Sequence, residues 1–188
     1  MVAKLAELDT PAIVVDLDVM EDNIARMAAY RKAHSLKLRP HIKTHKTPEI
    51  ARLQMEAGAC GIACQKVGEA EVMMDAGLSD ILVCYNIIGR QKLERLVRVA
   101  CGATLSVALD SIEVSDAISW AARAAGKPIG VLIELDVGAG SCWRAISRGG
   151  FGSCQTCARP EKRRVLGDFD LPREIERESA ARGNCCFV

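Results

Sequence analysis

The 188-residue chain lacks a surplus of either charge: 25 Lys and Arg against 24 Asp and Glu leave a formal net charge of +1. Phosphate affinity depends on a broad excess of cations, so this balance argues against a dedicated nucleic-acid binder. Long hydrophobic runs are missing too, and no stretch is apolar enough for long enough to span a bilayer. The N-terminus offers one early lysine and then Glu7 and Asp9 where a signal peptide would be apolar. No export signal is read there, and a cytoplasmic location with reduced thiols is expected. Zinc-site spacing is also absent: Cys154 and Cys157 form a CxxC pair, but the later cysteines, Cys185 and Cys186, are adjacent and no histidine follows. Of the nine cysteines, Cys60, Cys64, Cys84 and Cys101 lie within or beside apolar runs, where a free cysteine is usually a small buried hydrophobe.

What is present is a globular composition, with 49% hydrophobic residues, in a regular alternation. Short β-rich runs at 12–16, 36–43, 60–64, 80–85, 104–110 and 129–135 are separated by amphipathic segments. From the second run onward they recur every 20 to 26 residues. Asp18, with Glu21 three residues on, predicts the cap of the first helix, whose Met20, Ile24 and Met27 share a face. Pro48 suits the start of the next helix, and Gly58 follows its end. Ala70, Met73 and Met74 line the third, Leu93, Leu96, Val97 and Ala100 the fourth, and Ile118, Ala121, Ala122 and Ala125 the fifth. Gly77, Gly102 and Gly126 mark the three stops. Five consecutive β/α steps without a dinucleotide glycine fingerprint favour a β/α barrel over a doubly wound sheet, although periodicity alone does not separate them.

The densest chemistry lies in Arg39-Pro40-His41-Ile42-Lys43-Thr44-His45-Lys46. Cations crowded together disfavour one another's charged forms, so a partly desolvated Lys43 should give up its proton more readily and serve as a carbonyl-reactive amine. Such an amine can form a Schiff base with pyridoxal phosphate, whose ring acts as an electron sink at an amino-acid α-carbon. A solvated basic loop or a phosphate-binding patch fits the same residues. Placement favours the cofactor reading, because Lys43, Cys64-Gln65-Lys66, Cys84-Tyr85-Asn86, Asp110 and Asp136-Val137-Gly138 all fall at predicted C-terminal strand ends, where a barrel gathers its reactive groups.

The strings TPAIVVDLD, LRPHIKTHK, CQKVGEAE and IELDVGAG resemble the D-threonine aldolase and D-serine dehydratase group of fold-type III pyridoxal-phosphate enzymes, relatives of the alanine racemase N-terminal domain, over about residues 8–140. The resemblance implies a (β/α)8 TIM-type barrel of the alanine racemase N-terminal type, with Lys43 as the catalytic lysine that carries the cofactor. His41 and Gln65 are candidate cofactor-binding neighbours. It implies lyase chemistry on a D-β-hydroxy amino acid, by aldol cleavage or loss of water, and a homodimer. The run at 12–16 would then be a strand of a second, β-rich domain. Base catalysis is required at the hydroxyl or the α-proton. Neither His41 nor His45 is assigned that task, since a bend after His41 would split the two.

In the same group DVGAG is typically followed by Arg-Cys-Gly-Val, whereas this chain continues Ser141-Cys142-Trp143-Arg144. Residues 141–188 keep no β/α pattern beyond a short helix expected near 172–181, and they read as a shifted reading frame with an early stop. A divergent C-terminal module is the alternative. A closed barrel takes roughly 250 residues, so about five of its units are expected here. The later strands that hold the cofactor phosphate, and the domain carrying the divalent-metal ligands, would be missing. Three functional readings follow: an impaired lyase, a pyridoxal-phosphate-binding homeostasis protein without turnover, or an inactive fragment.

Overall fold

The computed structural model describes residues 7–134, 164–165 and 185–187. Helix α1 (Leu17–Ala33) leads into β1 (Lys37–Arg39), α2 (Pro48–Glu56), β2 (Ile62–Cys64), α3 (Val67–Asp75) and β3 (Asp80–Val83). Then follow α4 (Arg90–Gly102), β4 (Thr104–Leu109), α5 (Ile112–Ala125) and β5 (Gly130–Ile133), with two short strands, β6 (Arg164–Val165) and β7 (Cys185–Phe187). Cys154, Cys157, the Asp136-Val137-Gly138 strand end, Ser141 to Arg144 and the helix expected near 172–181 lie outside the described residues.

Every strand pair is parallel, and β2, β3, β4 and β5 lie side by side in chain order. The end of β1 joins the row through an isolated His41–Ala63 bridge, with Cys60 N–H donating to Leu38 O at 2.8 Å and Ile42 N–H to Ala63 O at 2.9 Å. Strands neighbouring in sequence are therefore neighbours in space from β1 to β5. A doubly wound sheet reverses direction at a switch point, and this sheet does not. The arrangement is that of a barrel wall, and the barrel is not closed among the described residues: the outer neighbours of β1 and β5 are β7 and β6. The sequence pattern offers no strand in that region. Exposed backbone N–H and C=O groups on the two outer strands supply a template that a short extended segment can pair with.

Parallel register sorts the side chains into rows. Ile62, Ile81 and Leu105 form one, and Cys64, Val83, Val107 and Val131 another. These two rows belong to the main core, with Leu96 and Val99 of α4 and Ile118 and Ala121 of α5. Burial along β4 alternates, with Leu105, Val107 and Leu109 inside and Ser106 and Ala108 half-buried on the other face, as expected of a wall backed by helices on one side. The helical stripes read from sequence carry this packing. Gly126 closes α5 in the left-handed conformation at φ +65°, and Pro48 opens α2.

Several details depart from the sequence pattern. The cap of α1 is Asp16, whose carboxylate accepts from Val19 N–H at 3.1 Å, and Asp18 is a first-turn acid that favours the helix dipole. Residues 12–16 form no strand, because no described segment pairs with them, and Ile13 is 99% exposed. Helix α1 buries no residue fully: Met20, Ile24 and Met27 are half-buried, and a cavity of about 220 Å³ remains between Ile24, Met27, Leu38, Pro40 and Gln54. Of the four cysteines expected inside, Cys64 is buried, Cys60 and Cys84 are intermediate and Cys101 is exposed on the last turn of α4.

Between α3 and α4 a buried carboxylate anchors the helix layer. Glu71 accepts from Arg95 Nε at 3.1 and 3.0 Å through its two oxygens and from Arg98 at 3.1 Å. Hydrogen bonding from Arg95 outweighs burial and holds the Glu71 carboxyl below its ordinary value of 4.5. A depressed carboxylate contributes stability above its unfolded value, and that stability is lost as pH falls through the folded value. Glu71→Gln is therefore expected to lower the thermal unfolding midpoint at neutral pH, by about 2–8 °C for a destabilisation near 1 kcal/mol, and to flatten its fall below about pH 4.5. Melting curves across that range check it.

Candidate active site

The chain leaves β1 through a turn. Pro40 lacks an N–H, Ile42 is fully buried as the anchor, and Lys46 N–H donates to Ile42 O at 2.8 Å with Lys46 at φ +53°. The expected strand over 36–43 thus stops short of Lys43, which sits exposed on the turn. The partial desolvation expected of this lysine is not found. Arg39 also leaves the cluster. Its guanidinium, 12% exposed, pairs with Asp80 at 2.8 Å and donates to Ile62 O and Asp80 O at 3.3 Å each. Gly61 makes room for it: at φ +153° a Cβ there would lie 2.1 Å from an Arg39 nitrogen.

The two histidines are split by the turn. His41 Nδ1 accepts from Lys43 N–H at 3.2 Å, and His45 Nδ1 accepts from Thr47 N–H at 3.0 Å. An accepting Nδ1 in a neutral ring leaves the proton on Nε2. Burial lowers the pKa of both; for His41 the charge on Lys43 adds to it, while Gln65 and Glu69 pull the other way. His41 Nε2 is thus a buried donor, and no well-aligned partner meets it among the described residues. Such an orphan beside an exposed amine fits a polar ligand with an acceptor atom. The crowding that the sequence suggests for Lys43 is therefore felt by His41.

Gln65, half-buried at the end of β2, shares this corner. Its N–H donates to Glu69 Oε2 at 2.8 Å, and Glu69 also holds the Lys46 ammonium. Farther along the wall, Asp110 N–H donates to Asn86 Oδ1 at 3.2 Å, linking the ends of β3 and β4. Glu134 follows β5, its N–H bonded to Leu109 O at 2.8 Å. Burial first, and then the neighbouring Asp110, raise the Glu134 pKa. Sequence reading passes over Glu69 and Glu134, and it counts Lys46 only as one of the crowded cations. Glu69 looks like an ordinary first-turn acid of α3, and Glu134 is one charge inside an apolar run.

Burial pushes the Cys64 thiol up to about 12 and the Cys84 thiol up to about 11. Neither supplies a thiolate near neutral pH, which removes a cysteine nucleophile from this face. Among the described residues no three His, Cys, Asp or Glu side chains are grouped to hold a metal ion, and no helix is long and apolar enough to cross a membrane.

A parallel wall in sequential order, with a lysine on the turn after its first strand and polar groups at the later strand ends, has the arrangement of an incomplete β/α barrel. The family described as alanine racemase, N-terminal domain, matches residues 15–159, and the chain belongs to it. That family implies pyridoxal phosphate. D-threonine aldolase of Arthrobacter sp. is 44% identical over 138 residues, covering 73% of this chain and 36% of that protein. 3-Hydroxy-D-aspartate aldolase of Paracoccus denitrificans is 39% identical over 139 residues, with the same coverage of 73% and 36%. The solved structure of D-threonine aldolase from Filomicrobium marinum superposes with a TM-score of 0.80 at 41% identity, over 86% of this chain and 44% of that one. This chain thus spans roughly a third of the length of the curated relatives it matches.

The thiol assignments are open to a direct check. Iodoacetamide at about pH 8 should alkylate exposed Cys101 in the folded protein while Cys64 reacts only after denaturation. Mass spectrometry of the digested protein reads both, and rapid labelling of Cys64 without denaturant would contradict the burial argument.

Proposed function

We propose that this chain carries the cofactor-attachment part of a pyridoxal-phosphate-dependent lyase acting on D-β-hydroxy amino acids. The observation that carries the reading is Lys43 on the turn after the first barrel strand, beside the unfilled Nε2–H of His41. Bound pyridoxal phosphate would supply an electron-withdrawing ring that takes up the electron pair left at the α-carbon when a bond there breaks. Lys43 would provide the covalent hold. His41 is suited to donating a hydrogen bond rather than to accepting a proton, because Nδ1 is engaged by Lys43 N–H and Nε2 bears the hydrogen. Gln65 would line the same corner.

Aldol cleavage needs a proton removed from the β-hydroxyl, and elimination needs one delivered to it. Glu134, with its raised pKa next to Asp110, is the described strand-end group best suited to hold and return a proton. A divalent metal is expected of full-length relatives, and among the described residues no three His, Cys, Asp or Glu side chains are grouped to hold it; a homodimer is expected by the same analogy. Among the described residues the wall does not close, so attachment of the cofactor with weak turnover is the expected behaviour. The departure at Ser141 is read as a shifted reading frame, and resequencing the gene tests that directly.

Titrating the full chain with pyridoxal phosphate should give a saturable visible absorbance that Lys43→Ala abolishes. D-Threonine and D-serine are then added, and glycine, aldehyde and keto-acid products are measured. Slow product formation lost in Lys43→Ala supports the lyase reading, and saturable absorbance with no product from any D-amino acid favours a cofactor carrier. An unchanged titration in Lys43→Ala would refute both.

A further inference from the structure

Among the described residues, Glu69 is a carboxylate that touches both loops of the Lys43 corner. It is 6% exposed, on the first turn of α3, with its two oxygens divided between two elements. One binds the Lys46 ammonium, which closes the turn after β1; the other accepts from Gln65 N–H at 2.8 Å, where the chain leaves β2. Lys46 occupies the left-handed region at φ +53°, which favours glycine. A lysine kept there despite the strain points to a use for its side chain, and the ion pair with Glu69 is that use. Burial pushes the Glu69 carboxyl up, but hydrogen bonds from Lys46 and Gln65 and the charges of Lys46 and Lys66 outweigh it and hold it below the ordinary value of 4.5.

The geometry points to Glu69 as a positioning residue that, through Lys46, holds the 42–46 turn and with it the Lys43 amine against the His41–Gln65 corner. This rests on Lys43 being the point of cofactor attachment. Lys46 N–H bonds to Ile42 O across the turn, so anchoring the Lys46 side chain fixes the closing end of the segment that contains Lys43. Without the anchor the turn relaxes out of its strained form, and Lys43 samples directions in which a ligand bonded to His41 cannot be reached.

The test uses the full chain and pyridoxal phosphate, with dissociation constants from visible absorbance and melting temperatures in parallel. Glu69→Gln and Lys46→Met should each weaken attachment about tenfold or more, and the double variant should be no worse than the poorer single one. Lys46→Arg, which keeps the cation, should recover most of the loss. Glu71→Gln, two residues along the same helix with its carboxylate on Arg95 instead, should lower the melting temperature and leave attachment unchanged.

Attachment as tight in Glu69→Gln and Lys46→Met as in the parent would overturn the inference, as would an equal loss in Glu71→Gln. Lys46 is 54% exposed, so its replacement gives an answer even where Glu69→Gln fails to fold. Full attachment in Lys43→Ala would instead sink the underlying reading of Lys43, an outcome distinct from failure of the Glu69 argument.

Discussion

The corner proposed to hold the cofactor depends on how the end of β1 is laid against β2. Cys60 N–H to Leu38 O, Ala63 N–H to Pro40 O and Ile42 N–H to Ala63 O form a short parallel ladder. It fixes where the chain turns away from the sheet. Pro40 contributes only its carbonyl, and Ile42, fully buried, pins the point of departure. Everything downstream is set by that anchor: Lys43 lies one residue past it, and the 42–46 turn closes onto its carbonyl. Because the strands continue in chain order, the same arrangement brings the ends of β2 to β5 to one rim.

The rim divides into two electrostatic regions. At the β1–β2 end, two neutral imidazoles lie near Lys43 and Lys46, with Glu69 as the counter-charge. At the β4–β5 end, Asp110 and Glu134 face each other, and burial together with mutual repulsion keeps the Glu134 proton on to a higher pH. An amine and a hydrogen-bond donor thus lie at one end, and a proton-holding carboxyl at the other. Leu132 and Ile133 of β5 are only half-buried, and the short β6 is the described neighbour beyond them.

Much of this was legible in the sequence because it is written locally. Helix stripes such as Leu93, Leu96, Val97 and Ala100, and punctuation such as Pro48 and Gly126, depend on neighbours within a turn or two. The basic run around Lys43 is legible because several cations at the end of a β-rich segment are a local signal. What escaped depends on distant contacts. Glu69 meets Lys46 across 23 positions and Arg39 meets Asp80 across 41, so nothing near either residue announces the partner. The cap falls on Asp16 rather than on Asp18 because Asp16 keeps an extended backbone with its carboxylate on Val19 N–H, whereas Asp18 already lies in the first turn of α1. Residues 12–16 read as a strand because their side chains suit one, but a strand also needs a partner, and none is described.

Lys43, among all the lysines, is the amine proposed to hold the cofactor. The full chain incubated with pyridoxal phosphate, reduced with borohydride and digested with trypsin should yield peptide 38–46 with the added cofactor mass and a missed cleavage at Lys43. Added mass spread over several surface lysines, or concentrated at Lys46 or Lys66 with Lys43 cleaved normally, would contradict it.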